Sequence, residues 1–214
     1  MDITWLGHAA TRIRARQTFV IMDPCDKESG FDMGRPTTDV ITISNPGPHH
    51  SNVKGVKGDS IVVDGPGEYE IEGVQLIGIA TYLNPPEEEK PAQRNTVFLL
   101  EAEEMRLGHL GALGAPLTSD QAGQIAGVDI LIVPIGGVEP FDAAEAARTV
   151  RQLEPKIVIP VAYPVKGKGA GKDGPLQQFV STLGVEPETS EARMTIARRD
   201  LGESLRLFQP SPRG

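Results

Sequence analysis

Short apolar and alternating runs fill the first half of the chain: ITWL, ATRIRA, TFVIMD, DVITIS, SIVVDG, YEIEGVQLIGIA and NTVFLLEA. Turn-forming residues separate them, and the pattern predicts a succession of strands. In ATRIRA, Thr11, Ile13 and Ala15 alternate with Arg12, Arg14 and Arg16, as in a strand with one wet face. VITI, IVV and FLL lack polar alternation and read as strands buried on both faces. Helical periodicity comes later, near 118–126, 142–153 and 173–183, interleaved with the apolar strands VDILIVPIG and PKIVIPVAY. Thr118 with Gln121 three residues on has the form of a capping box, and Asp142 offers an acceptor to the first free amides of the second helix, which Pro155 ends.

Many strands followed by strand and helix in alternation predict an α/β fold. Two sheets pack face to face with helices outside, as a four-layer αββα sandwich. No internal linker is evident, so residues 1–214 read as a single domain. The segment 23–38, the PPEEEKPAQ stretch at 85–93 and the tail QPSPRG read as surface excursions.

Composition narrows the function classes. A net charge of -8 argues against a chain whose main business is neutralising nucleic acid or anionic lipid. Lys166, Lys168 and Lys172 in VKGKGAGKDG could meet a phosphate, against the plainer reading of a solvated Gly/Lys loop. Cys25 is the only cysteine, which excludes an intrachain disulfide and a thiolate-rich zinc site and fits a reducing cytoplasm. Acidic neighbours Asp23 and Asp26 would raise its thiol pKa and make it a weak nucleophile. No apolar run reaches the roughly 20 residues that cross a bilayer, so a soluble, non-secreted, cytoplasmic protein is expected. Phosphate-loop, GxSxG and dinucleotide fingerprints are absent; Gly136 and Gly137 after PI could turn backbone amides toward a cleft.

The chemistry concentrates at VITISNPGPHH, residues 40–50, an apolar strand entering a loop that ends in two of the four histidines. Eight collinear words give this loop a context: ITWLGHA, MDP, DVITIS, DGPGEYEIEGV, RNTVF, HLGALG, DILIVPIGG and PKIVIPVAY. Together they resemble the metallo-β-lactamase fold, in the compact bacterial branch of metal-dependent hydrolases related to the ascorbate-6-phosphate lactonases. That resemblance implies the αββα sandwich and, in ordinary members, a dinuclear metal site for hydrolysis.

The resemblance also locates what is missing. The family's loop carries HxHxDH; here Asn45 and Gly47 stand at the first two histidines, His49 at the aspartate, and His50 alone is kept. The family's later histidine, aspartate and histidine fall on Leu83, Ala112 and Ala162, none of which has a donor atom. Zinc sites use at least about three protein ligands, so His49 and His50 are residual metal candidates only.

Other residues near the implied pocket have two readings each. His8 in LGHA faces the pocket mouth or is satisfied by backbone carbonyls, and His109 supports the site or is structural. Asp23 of MDP orients a pocket histidine or caps a turn before Pro24. Glu68, after the Gly65–Pro66–Gly67 turn, is a general base or a strand-entry residue.

The expectation is a non-catalytic member of the fold, with no resident cofactor, binding a small molecule or serving assembly as a homo-oligomer or with a protein partner. No nucleic acid or membrane is expected as partner. The alternative is a hydrolase of a lactone or phosphoester, using zinc or manganese in a mononuclear site rebuilt from His8, His49, His50 and carboxylates.

Overall fold

The computed structural model describes residues 1–84, 91–136, 141–165 and 171–211. Lys166, Lys168, Gly137, residues 85–90 of the PPEEEKPAQ segment and residues 212–214 of QPSPRG lie outside these residues.

Two sheets form the body. The first has the order β13-β1-β2-β3-β4-β5. Its strands are β1 (Asp2–Gly7), β2 (Ala10–Ala15), β3 (Thr18–Met22), β4 (Val40–Thr42), β5 (Ile61–Val63) and β13 (Arg193–Thr195). The second runs β12-β14-β11-β10-β9-β8-β7-β6. It uses β6 (Gly67–Ile71), β7 (Val74–Tyr82), β8 (Arg94–Ala102), β9 (Met105–His109), β10 (Ile130–Pro134), β11 (Ile157–Val161), β12 (Pro187–Ser190) and β14 (Arg206–Pro210).

The single apolar run YEIEGVQLIGIA is broken into a hairpin, β6 and β7. Glu72 and Gly73 both take positive φ, 50° and 77°, the two-residue turn that matches strand twist. The short strands β12, β13 and β14 carry no pattern that marked them in the sequence.

Alternation decides which face meets which layer. Ile3, Trp5, Ile13, Val20 and Met22 point inward and share one core with Leu76, Val97, Leu99, Leu107 and Ile132 of the second sheet. Leu6, Ala10, Ile21 and Ile41 point outward and form a second, smaller core with Cys25, Met33 and Val56. The helices α1 (Ser119–Ile125), α2 (Ala143–Leu153) and α3 (Pro175–Leu183) belong to the second half of the chain, with α1 on β7, α2 on β10, and α3 against α2. Among the described residues the outer layer of the first sheet is the segment after β3 with its 3-10 turns.

Both cap signals work as the sequence implies: Thr118 and Gln121 bond reciprocally, and Asp142 accepts from the Glu145 amide. VIT and FLL are buried, as their composition predicts. IVV is not. Ile61 and Val62 are exposed, because β5 is the edge strand of the sheet, and only Val63 at its end is buried in the core. A run without polar alternation marks a buried strand only where the sheet continues beyond it.

Candidate functional site

Strand ends converge on one place. His8 follows β1, Asp23 follows β3, Asn45 follows β4 by two residues, and Ala162 follows β11. Three of these four sit in the left-handed region without being glycine: His8 at φ 48°, Asp23 at 53° and Ala162 at 56°. Such backbone costs on the order of 1 kcal/mol or more per residue and clusters where a fold aims side chains at a pocket. Ala162 shares that backbone although its side chain is only a methyl group.

Asp23 is the anchor. It is fully buried, and its two oxygens accept from the Ser44 amide at 2.8 Å and the Ser44 hydroxyl at 2.6 Å. His50 Nδ1 lies 2.8 Å from the same carboxylate. Burial alone would raise the Asp23 carboxyl, but the His50 charge and hydrogen bond, with His109 and Ser44, outweigh it and hold the group below the ordinary carboxylate range. Orientation of a histidine, the first of the two readings for Asp23, is therefore what its geometry does.

His49 makes a parallel pair, its Nδ1 2.7 Å from Asp26. The His8 ring lies 5.1 Å from that of His50 and 5.5 Å from that of His49, centroid to centroid. The His8 carbonyl accepts from the Trp5 indole at 2.7 Å and from the Ala162 amide at 3.0 Å, so its backbone is pinned while its buried Nδ1 has no hydrogen-bond partner. Burial first, then the charges of His50 and His49, push the His8 pKa down to about 4.

His109 is structural in its contacts. Its Nε2 donates to the Ala9 carbonyl at 2.9 Å and its Nδ1 accepts from the Gly111 amide at 3.0 Å, which uses both ring nitrogens of a neutral imidazole. Burial lowers its pKa, against the opposing pull of Asp23 and the Ala9 bond.

The remaining positions are closed by local bonds. Asn45 accepts from the Gly47 amide at 2.8 Å and donates to the Arg94 carbonyl at 3.2 Å, a turn device. Ala112 donates its amide to Asn95 Oδ1 at 2.8 Å, while the Asn95 amide reaches Thr81 and the Leu110 carbonyl. Leu83 carries a backbone bond from its amide to the Gln93 carbonyl, and its own carbonyl is pressed against Gly114. Gly136 is packed against the Ala162 carbonyl and the Tyr163 Cα with no room for a side chain. Glu68 lies apart, exposed on the edge strand β6. For Cys25 burial raises the pKa most, with Asp26 and Asp32 adding to it, and its thiol donates to the Gly7 carbonyl.

Ser44, Asp26 and Asn95 were not singled out as candidates, yet they fix Asp23, His49 and Ala112. Each pairing joins residues distant in sequence, and only Ser44, in DVITIS, and Asn95, in RNTVF, lie in words that the sequence marks.

A dinuclear metal does not fit these residues. At the positions that the resemblance assigns to ligands, Gly47, Leu83, Ala112 and Ala162 offer no side-chain donor. Among the described residues no three His, Cys, Asp or Glu side chains gather as one ion requires. None of the described helices is long and apolar enough to cross a membrane.

Comparison with known proteins follows the same lines. The family described as "Beta-lactamase superfamily domain" matches residues 2–162. A UPF0173 protein of Pyrococcus furiosus is 24% identical over 184 residues, 76% of this chain and 83% of its own length. A UPF0173 metal-dependent hydrolase of Methanopyrus kandleri is 21% identical over 199 residues, 76% of this chain and 84% of its own. Among solved structures, a Thermotoga maritima protein assigned to the Zn-dependent hydrolases of the metallo-beta-lactamase superfamily superposes with a TM-score of 0.78 at 28% identity, covering 98% of this chain and 99% of that one. A Parabacteroides distasonis protein assigned to the metal-dependent hydrolases shares the fold, with a TM-score of 0.61 at 19% identity over 85% of this chain and 89% of that one.

Proposed function

The chain belongs to the beta-lactamase superfamily domain family of metallo-β-lactamase-fold metal-dependent hydrolases, and from that membership we propose that it is a member without metal-dependent hydrolysis. Its former metal pocket then serves to bind a small molecule or to support assembly in the cytoplasm. Fold and family do not carry the reaction; donor atoms at the site do. The observation that supports this reading is that Gly47, Leu83, Ala112 and Ala162 bring no donor atom to the site, while most of its polar side chains bond to one another or to backbone. His50 goes to Asp23, His49 to Asp26, His109 to Ala9 and Gly111, and Asn95 to Ala112.

Elemental analysis of protein purified without added metal, followed by titration with zinc and manganese, tests it. The expected result is metal far below one equivalent and no saturable uptake. Near-stoichiometric tight binding would overturn the reading.

One observation favours the second reading, a mononuclear hydrolase of a lactone or phosphoester. Carboxylates hold the Nδ1 atoms of His49 and His50, as metal-ligating imidazoles are often held, and His8 stands beside both. The same titration separates the two. A homo-oligomer is part of the first reading, and the exposed Ile61 and Val62 of β5 are the surface whose substitution by Ser should change the sedimentation of the protein.

A further inference from the structure

Of the three large apolar side chains exposed among the described residues, two are neighbours on the edge strand β5, Ile61 at 50% and Val62 at 43%. β4 and β5 run parallel, with Ile41 opposite Val62. The Ile61 amide donates to the Asp39 carbonyl, and the Val63 carbonyl accepts from the Ile43 amide, both at 2.9 Å. Backbone groups alternate in direction along a strand, so Ile61 and Val63 spend theirs on β4 while the N–H and C=O of Val62 point off the sheet. Among the described residues no strand pairs with that side of β5.

An open edge of β-branched residues is a template for another strand, and folds blunt such edges with Lys, Pro or a bulge. β5 carries none of these: it reads Ile-Val-Val, and its ladder with β4 runs without a register shift. Charge is distributed unevenly about it. Exposed Lys54 and Lys57, against Asp59, make the approach to the strand net basic. Exposed Asp64, Glu68 and Glu70 make its exit net acidic, even with Arg94, which donates to the Asp64 carbonyl at 3.0 Å. A parallel newcomer of the same sequence would set like ends side by side, whereas an antiparallel one sets the basic end of each strand against the acidic end of the other. A second copy of this chain fits that edge in both its shape and its charge.

We propose, resting on the assembly reading above, that a second copy of the chain adds its own β5 antiparallel to this one, with a two-fold axis at Val62. Val62 then exchanges both backbone hydrogen bonds with Val62 of the partner subunit, the self-complementary contact that a two-fold axis demands. Ile61 comes to lie opposite Val63 of the partner subunit, and Ser60 opposite Asp64 of the partner subunit. Both exposed β-branched side chains gain an apolar cross-strand neighbour. The two copies of the first sheet become one continuous sheet, and the open edge disappears.

Sedimentation velocity over a range of protein concentrations tests the interface, and the expected result is a reversible monomer–dimer equilibrium. Val62→Pro removes an N–H that serves no bond to β4, at an edge position that accepts proline, so the monomer should stay folded while the dimer's dissociation constant rises about tenfold or more. Val62→Lys sets two like charges against each other across the axis and should weaken the dimer even if proline disturbs β5. Cross-linking reads the register. Across the axis the two Cα atoms at position 62 stand about 5.5 Å apart, within disulfide reach, so Val62→Cys should cross-link under oxidised glutathione. Ser60→Cys, whose two copies lie on opposite sides of the axis, should not. A chain that is monomeric at every concentration would overturn the dimer and the assembly reading together. A dimer that Val62→Pro and Val62→Lys both leave intact would overturn this surface and spare that reading, and cross-linking at position 60 but not 62 would overturn the register.

Discussion

His50 Nδ1 and Asp23 Oδ2 are 2.8 Å apart, and the acid settles which of them donates. Asp23 is held below the ordinary carboxylate range and is ionised at neutral pH, so it can only accept. The proton of this bond therefore sits on His50 Nδ1, which makes the neutral ring the Nδ1–H tautomer. That tautomer leaves Nε2 facing away from the carboxylate, as in imidazoles that a carboxylate orients toward a metal.

Asp23→Asn should reverse that tautomer. Asn tolerates the φ of 53° and its Oδ1 can still accept from the Ser44 amide, but its NH₂ group then faces His50 as a donor. His50 moves its proton to Nε2, visible in long-range ¹⁵N–¹H correlations of the ring. Breaking a buried charged hydrogen bond costs about 2–4 kcal/mol, measured by urea unfolding. The wild-type carboxylate stabilises the fold above its unfolded value of 3.8, and that contribution fades as pH falls below it toward the folded pKa. The Asn variant should lack this part of the acid sensitivity.

His8 sets a second pH dependence of its own. The unfolded imidazole takes up a proton below 6.5, while the folded one resists until about 4. Between those values the unfolded state binds more protons, so stability falls as pH falls through the window and is full above it. The effect is about 2–3 kcal/mol across the window. His8→Asn, which keeps the positive φ, should flatten the slope between pH 6.5 and 4 in denaturant titrations, leaving the contribution of His109, which has the same sign.

Gly111 joins the first sheet's loop to the second sheet. It takes φ 64°, and a methyl group there would press on Ser44 and lie 2.7 Å from Asn95 Oδ1. Both neighbours are engaged, Ser44 by Asp23 and Asn95 by Ala112, so neither can yield without losing its partner. Gly111→Ala should cost about 3 kcal/mol or more from strain and overpacking together. Thermal unfolding of the variant measures it.

Much of this was legible before any coordinates. Thr118, Gln121 and Asp142 announce their helices through local chemistry, and the inward faces of β1, β2 and β3 follow from alternation. The edge position of Ile61 and Val62 was not legible, because burial depends on what lies beyond a strand. The assignment of Gly47, Leu83, Ala112 and Ala162 to ligand positions is what the resemblance implies, and only Ala112 and Ala162 lie inside the collinear words themselves. The partners of the surviving histidines were not legible: Asp26 meets His49 and Ser44 meets Asp23 only through the way separate strand ends stack.

On the proposed reading, the backbone of the strand ends allows a metal site to be built at this pocket. His50 already has its supporting carboxylate, Ala162 holds the φ of 56° that histidine tolerates, and His8 links the two through the Ala162 amide and its 5.1 Å approach to His50. His49→Asp, Ala112→Asp and Ala162→His, combined, would supply three donors beside His50, the four that a tetrahedral zinc takes. The triple variant should bind one zinc while the unaltered chain binds none. At a hundredfold excess over the dissociation constant the gain is about 2.7 kcal/mol, or about 5–10 °C in Tm for a chain of this length. The proof lies in the difference between the variant's melting curves with and without zinc. If zinc leaves the variant's Tm unmoved, the strand ends no longer hold the geometry of the site, and more than its side chains has been lost.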